Sequence, residues 1–129
     1  MPRLDGQFIH LGAGATALPQ PDFSGGDWYA GYGARHDGDG PEGRLVSMFT
    51  FTTSWESWEM HPHGDEVVIC TEGRITLHRE FADGTIAKVT IGAGEYVINP
   101  PGCWHTADID GEATAVFITP GLGTEGRPR

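Results

Sequence analysis

The chain has 129 residues, enough for one domain with a real core and no disulfide framework. Its 20 glycines, 9 prolines and 38% hydrophobic residues argue against a helical bundle and suit short strands joined by turns. A formal charge of −10 argues against nucleic acid and anionic membranes as partners, and no apolar run approaches the roughly 18 residues that cross a bilayer.

Residues 1–43 carry no clear helical or strand period. "PQPDFSGGDWYAGYGARHDGDGPEG" is rich in Gly, Asp and Pro and reads as an arm or long loop, with a short strand around Phe8–Leu11. Its apolar residues (Phe8, Ile9, Leu11, Phe23, Trp28, Tyr29, Tyr32) can anchor it on the body or on a second copy of the chain. From Arg44 the text changes to strands and turns. "RLVSMFTFTT" is β-branched and aromatic, and "EVVIC" reads as a buried strand closed by "TEGR". "RITLHREF" and "TIAKVTI" flank Asp83-Gly84, a strong hairpin signal. "YVINP", "WHTADI" and "ATAVFIT" follow, the last two separated by Asp110-Gly111. Seven or eight short strands at this spacing predict an all-β sandwich or small barrel over residues 44–119, followed by a polar tail, 120–129. The two tail arginines can pair with the acidic surface.

The chemistry concentrates in "WEMHPHGDE", residues 58–66. In an extended strand, residues two apart share a face, so His61 and His63 would project together, with Pro62 favouring that geometry. Glu66 opens the next strand on the face of Val68 and Cys70. Two imidazoles and one carboxylate converging in a barrel match the set that binds Fe(II) and similar divalent ions; histidines on an ordinary acidic turn are the plain alternative. His105 follows the Pro100-Pro101-Gly102 turn, and spacing by itself does not make it a ligand. Cys70 and Cys103 are candidates for cavity lining or for core packing, expected as free thiols. Trp55, Trp58 and Trp104 are candidates for an aromatic wall. His10, His36 and His78 have no partner at ligand spacing and are expected to be solvated.

Taken together, these motifs resemble those of a small single-domain cupin. His61-x-His63 and Glu66-x6-Gly73 match the family's first motif, and Gly94, Pro100, Gly102 and His105 match its second. The chain departs from the pattern in three places: two residues, not three or four, separate His63 from Glu66; Trp55 stands where a glycine is expected; and Ile109 replaces a final Asn. The resemblance implies a double-stranded β-helix (jelly-roll) barrel in which His61, His63, Glu66 and His105 hold one divalent metal per chain, with Fe, Mn, Ni, Co, Cu and Zn not distinguished. It implies oxygenase- or isomerase-type chemistry on a small molecule, or alternatively a ligand-binding or sensor module without turnover. A cytoplasmic homodimer is expected, since the N-terminus lacks a signal core and small barrels have sheet edges to cover.

Overall fold

The computed structural model describes residues 1–129. Eleven strands and one α-helix follow in the order β1 Ile9–Gly12, β2 Thr16–Pro19, α1 Gly26–His36, β3 Arg44–Phe51, β4 Ser57–Met60, β5 Glu66–Glu72, β6 Arg74–Glu80, β7 Ile86–Gly92, β8 Tyr96–Asn99, β9 Trp104–Ile109, β10 Ala113–Thr119 and β11 Glu125–Pro128. They form two antiparallel sheets, ordered β2-β1-β3-β10-β5-β8 and β11-β4-β9-β6-β7. The two sheets face each other as a jelly roll, and the inner faces make the core from Val68, Cys70, Ile75, Leu77, Ile91, Ala107, Ala113, Ala115 and Phe117. The two-residue period explains the assignment. On β5, Glu66, Val68 and Cys70 are buried while Val67 and Ile69 are half-buried on the other face.

The Asp83-Gly84 hairpin closes as expected between β6 and β7, with the Thr85 N–H donating to Asp83 Oδ1 at 2.9 Å. Gly73, between β5 and β6, has φ +71°, and a Cβ there would lie 2.2 Å from the Glu112 carbonyl oxygen. Both the backbone conformation and the close approach demand glycine.

The N-terminal segment differs from its reading as an arm. Residues 9–19 form a hairpin that extends the first sheet through β1 and β3, and residues 26–36 form α1. Three glycines and an aspartate hide the helix in the sequence, but Trp28, Tyr32 and His36 recur every fourth residue on one face. Tertiary burial, not propensity, holds such a helix. Trp28 packs edge-on against Phe8 at 5.3 Å and stacks on Tyr32 at 5.5 Å, while its Nε1 donates to the Pro21 carbonyl at 3.0 Å. Phe8, Trp28 and Leu45, joined by Phe23, Tyr32 and Phe49, make a second hydrophobic cluster. The apolar residues Phe8 and Trp28, offered above as anchors, are therefore satisfied within one chain.

The C-terminal residues likewise form a strand. β11 pairs with β4, although its sequence is polar. Arg127 explains this: its guanidinium lies 5.0 Å from the Trp58 ring and 4.4 Å from the Trp104 ring, and it pairs with Glu80. Arg129 pairs with Asp108 and donates to the Trp55 and Ala107 carbonyls. The expected pairing of both arginines with acidic residues holds, and it pins the last strand to the edge of the second sheet.

Candidate metal centre

The end of β4, the start of β5 and the start of β9 converge at one end of the barrel, bringing His61, Glu66 and His105 together. All three are buried, at 5%, 2% and 0% exposure. Glu66 sits between the imidazoles: its Oε2 lies 3.1 Å from His61 Nε2 and its Oε1 lies 3.1 Å from His105 Nε2. Two neutral donors orient the carboxylate. Thr119 Oγ1 donates to Oε2 at 2.7 Å and Asn99 Nδ2 to Oε1 at 3.2 Å, with Asn99 held by Arg79 Nε at 2.9 Å.

The outer nitrogens settle the tautomers. His105 Nδ1 faces the Cys103 carbonyl at 3.2 Å, which can only accept, so Nδ1 carries a proton. His61 Nδ1 faces Thr124 Oγ1 at 2.8 Å, and that hydroxyl spends its one hydrogen on the Gly121 carbonyl at 2.8 Å. His61 Nδ1 is therefore the donor. In a neutral imidazole the remaining Nε2 then presents a lone pair. Both Nε2 atoms are buried without a hydrogen-bond partner, and both face carboxylate oxygens. Two lone pairs aimed at an anion need a cation among them. Either each ring takes a second proton or a metal ion lies between, and the donor set of two imidazoles and a carboxylate fits a divalent metal.

Glu59 adds to this centre. It pairs with His105 across β4 and β9, and its Oε2 lies 4.0 Å from His61 Nε2. Glu59, His61 and His105 place ligand atoms within 4.8 Å of one another. Burial and the charge of Glu66 raise the Glu59 carboxyl, against the opposing pull of His61 and His105. Glu59 belongs to the same "WEMHPHGDE" stretch but is not among the residues that the motifs single out. Its signal was parity, since it stands two residues before His61.

His63 is not brought to the cluster. Residues 62–64 are a bend rather than a strand, so the two-residue period does not apply, and His63 is exposed beside Gly123. The short link to Glu66 is the reason: Gly64 turns against Pro120, where an added Cβ would lie 3.0 Å from Cγ. Asp65 is exposed, one residue out of phase with Glu66.

A cavity of about 720 Å³ opens onto the centre. His61, Glu66 and Glu59 form its polar end, while Phe49, Phe51 and Phe117 from the first sheet, Trp55 from the link between β3 and β4, and Tyr29 and Tyr32 from α1 form its walls. Of the proposed lining residues, only Trp55 is found there. Cys70 is in the core, with its thiol toward the Glu72 carbonyl, and burial raises that thiol's pKa. Cys103 is buried with its thiol toward the Trp104 carbonyl, and Trp104 lies beneath Arg127. Both cysteines are free thiols.

The remaining histidines are not simply solvated. His10 is buried at 1% exposure, bonded through Nδ1 to the Tyr32 hydroxyl and through Nε2 to Asp39, both at 2.6 Å. His36 stacks on it at 3.9 Å and bonds Gln20 Oε1 at 3.1 Å. His78 pairs with Asp108 at 2.7 Å. Their partners come from distant segments, out of reach of spacing arguments.

The cupin-domain family profile matches residues 48–120, more than half of the chain and all three elements that carry the buried centre. The chain belongs to the cupin family. This cupin shares its fold with oxalate oxidase in complex with glycolate, at 18% identity and a TM-score of 0.55, over 64% of this chain and 45% of that one. It is also similar to hydroquinone 1,2-dioxygenase from Sphingomonas sp. TTNP3 with 4-hydroxybenzoate bound, at 12% identity and a TM-score of 0.52, over 59% and 58% of the two chains. Drosophila melanogaster CENP-C bound to CAL1 matches at 11% identity and a TM-score of 0.50, over 60% and 63%. The chain thus spans about half the length of the oxalate oxidase it matches. No curated protein matches the cupin's sequence. Such distant neighbours, some with oxidative chemistry and one in a protein complex, show a shared barrel. No helix of this cupin is long and apolar enough to cross a membrane.

Two expectations follow from the centre's surroundings. Replacing Thr124 by valine removes the acceptor for His61 Nδ1 and frees the ring's tautomer. Metal affinity should fall roughly 10–100-fold, the usual cost of losing a partner behind a ligand histidine, while serine restores it; competition with a chromophoric chelator reads the change.

The second expectation concerns pH. In metal-free protein, burial lowers the pKa of His105, but the Glu66 carboxylate 3.1 Å from Nε2, which a second proton on the ring would bond, raises it further, leaving it above the ordinary 6.5. That stabilisation is present below 6.5 and lost as pH rises through the folded value. Burial raises Glu66, but its bonds to His105 and His61 pull it well below the ordinary 4.5. Its stabilisation is present above 4.5 and lost as pH falls through the depressed value. Chelator-treated protein should therefore melt highest between pH 4.5 and 6.5 and lose stability as pH rises above that window through the folded His105 value. Metal-loaded protein should instead gain stability over that upper range, because ligation needs unprotonated imidazoles. Melting curves that run parallel with and without metal would contradict this.

Proposed function

We propose that this cupin is a metal-dependent enzyme acting on a small oxygenated or aromatic molecule, with oxygenase- or isomerase-type chemistry. The observation that carries the reading is the pair of unpartnered Nε2 atoms facing the two oxygens of one buried carboxylate. His61, Glu66 and His105 would hold one divalent ion, with Glu59 rather than His63 nearest as a fourth ligand. The ion would supply Lewis acidity or redox activation of oxygen. The protein's own residues do the rest. Thr124, Asn99 and Thr119 orient the ligand atoms, and the aromatic walls exclude water and hold an apolar body whose oxygen faces the polar end. The resting charge of Glu59 and Glu66 repels anions until an ion is bound, so acidic ligands should bind only to loaded protein.

Metal analysis of protein purified without chelator or a nickel column tests this. About one divalent ion per chain supports the reading, and a metal-free protein that gains none on reconstitution overturns it. Oxygen uptake with catechols, thiols and β-diketones then separates an enzyme from a binding or sensor module, which would bind without turnover. Homodimer formation belongs to the same reading. The edge strand β8 leaves Tyr96 and Ile98 exposed at 64% and 47%, and light scattering would read the mass.

A further inference from the structure

Tyr32 stands where two features meet. Its side chain lines the cavity, and its hydroxyl bonds His10. His10 in turn bonds Asp39, so a phenol, an imidazole and a carboxylate form a chain with both links at 2.6 Å. Its direction follows from proton inventory. An ionised Asp39 only accepts, so His10 Nε2 carries a proton, and whenever the ring is neutral its Nδ1 is left to accept from the Tyr32 hydroxyl. The phenol then donates its one hydrogen to His10 and makes no other hydrogen bond. Its oxygen keeps lone pairs for a donor.

Two glycines keep this chain in place. A Cβ on Gly12 would lie 2.7 Å from Asp39 Oδ2 and 3.0 Å from His10 Nε2, and one on Gly43 would lie 3.1 Å from His10 Cε1. Neither backbone has positive φ, so space and not conformation requires glycine at both. His36, the other nitrogen ligand nearby, lies parallel to His10 within 18°. Stacked rings cannot aim lone pairs at one ion, and both His10 nitrogens are already occupied. This cluster is therefore a hydrogen-bond relay, unlike the centre with its two orphaned nitrogens.

We propose that Tyr32 is a ligand-contacting residue that accepts a hydrogen bond from a hydroxyl at the aromatic end of the cavity and can take that proton through His10 and Asp39. In the transfer the ligand's O–H proton moves to the Tyr32 oxygen, the Tyr32 proton moves to His10 Nδ1, and the imidazolium keeps its Nε2–H bond to Asp39. This is the logic of a nucleophile, histidine and aspartate triad, with a phenol in the first place. The charged and titratable groups around it are Asp37, Asp39, Arg35 and His36. Burial and the charges of Asp37 and Asp39 raise the phenol to about 12, so a lone tyrosine here would stay protonated and the relay is what lets it accept. The aromatic walls and the polar end suit a small aromatic molecule with a polar group toward the metal centre and a hydroxyl at the distal end.

The proposal rests on the metal-centred reading above, and the test separates the two. Calorimetry compares benzoate with 4-hydroxybenzoate on zinc-loaded protein, for the parent, Tyr32→Phe and Asp39→Asn. The parent should bind 4-hydroxybenzoate about 10-fold tighter, one good hydrogen bond's worth. In Tyr32→Phe, which keeps the ring stacked on Trp28, the ratio should fall to about 1 with benzoate affinity unchanged. Asp39→Asn should reduce the ratio without moving zinc content. A parent ratio near 1, or a ratio that Tyr32→Phe leaves intact, overturns the relay alone. If neither acid binds the zinc-loaded parent, the relay falls with its ligand class, whereas the metal-centred reading falls only if the protein takes up no zinc.

Discussion

Replacing Glu66 by alanine should both empty the metal centre and destabilise the fold. Four partners are left behind: His61, His105, Asn99 and Thr119 all address this one carboxylate. Removing one member of a buried ionic cluster costs about 3–5 kcal/mol, because the others remain buried without a counterpart. For a domain of this size that is on the order of 10–20 °C in Tm. Glutamine keeps the shape and separates the two effects. Its amide cannot balance a cation, so metal affinity should drop by more than the roughly 10–100-fold seen when a partner behind a ligand is lost, while melting in the presence of chelator changes less than for alanine. Asp65→Ala is the control. That side chain is exposed and out of phase, so metal content should stay at the parent level. A metal-free Asp65→Ala, or a Glu66→Gln that keeps full metal content, would place the carboxylate ligand elsewhere.

Phe8→Ala should produce the second large effect, at a distance from the centre. Phe8 is fully buried and touches Phe23, Trp28 and Phe49, so it joins the N-terminal hairpin and α1 to the barrel. Truncating a buried phenylalanine costs about 3–5 kcal/mol. Here the loss falls on α1, which has three glycines and little helix propensity of its own. Since α1 supplies Tyr29 and Tyr32 to the cavity, ligand binding should weaken with the fold. His61, Glu66 and His105 lie on other elements, so the variant should still hold its metal. Increased amide exchange confined to α1 with unchanged metal content is the expected signature; loss of metal would show that the two clusters are not independent.

Much of the barrel was legible because strands that face a core must alternate, and turns must carry particular residues. Glu66, Val68 and Cys70 share the buried face of β5 as their parity requires, and Asp83-Gly84 closes the hairpin it marks. His105 and Glu66 sit on strands with well-marked starts, and the resemblance to the cupin motifs singled them out. Three things lay outside that logic. His61 and His63 were treated as strand neighbours, but the two-residue link through Gly64 and Asp65 bends the chain, leaving His63 exposed and Glu59 nearest the centre. Helix α1 and strand β11 lack propensity and exist through contacts with distant residues, Trp28 with Phe8 and Arg127 with Trp58 and Trp104. The roles of Thr124 and of the Tyr32–His10–Asp39 chain depend on partners 22 to 63 positions apart. The sequence alone determined a β-barrel through local periodicity and turn chemistry, which are short-range rules, and its cupin-like motifs named the three residues that the structure brings together, His61, Glu66 and His105. Only the tertiary structure decided which histidine faces the carboxylate, which nitrogen is bare and which phenol lines the cavity, because hydrogen-bond partnership is set by proximity in space.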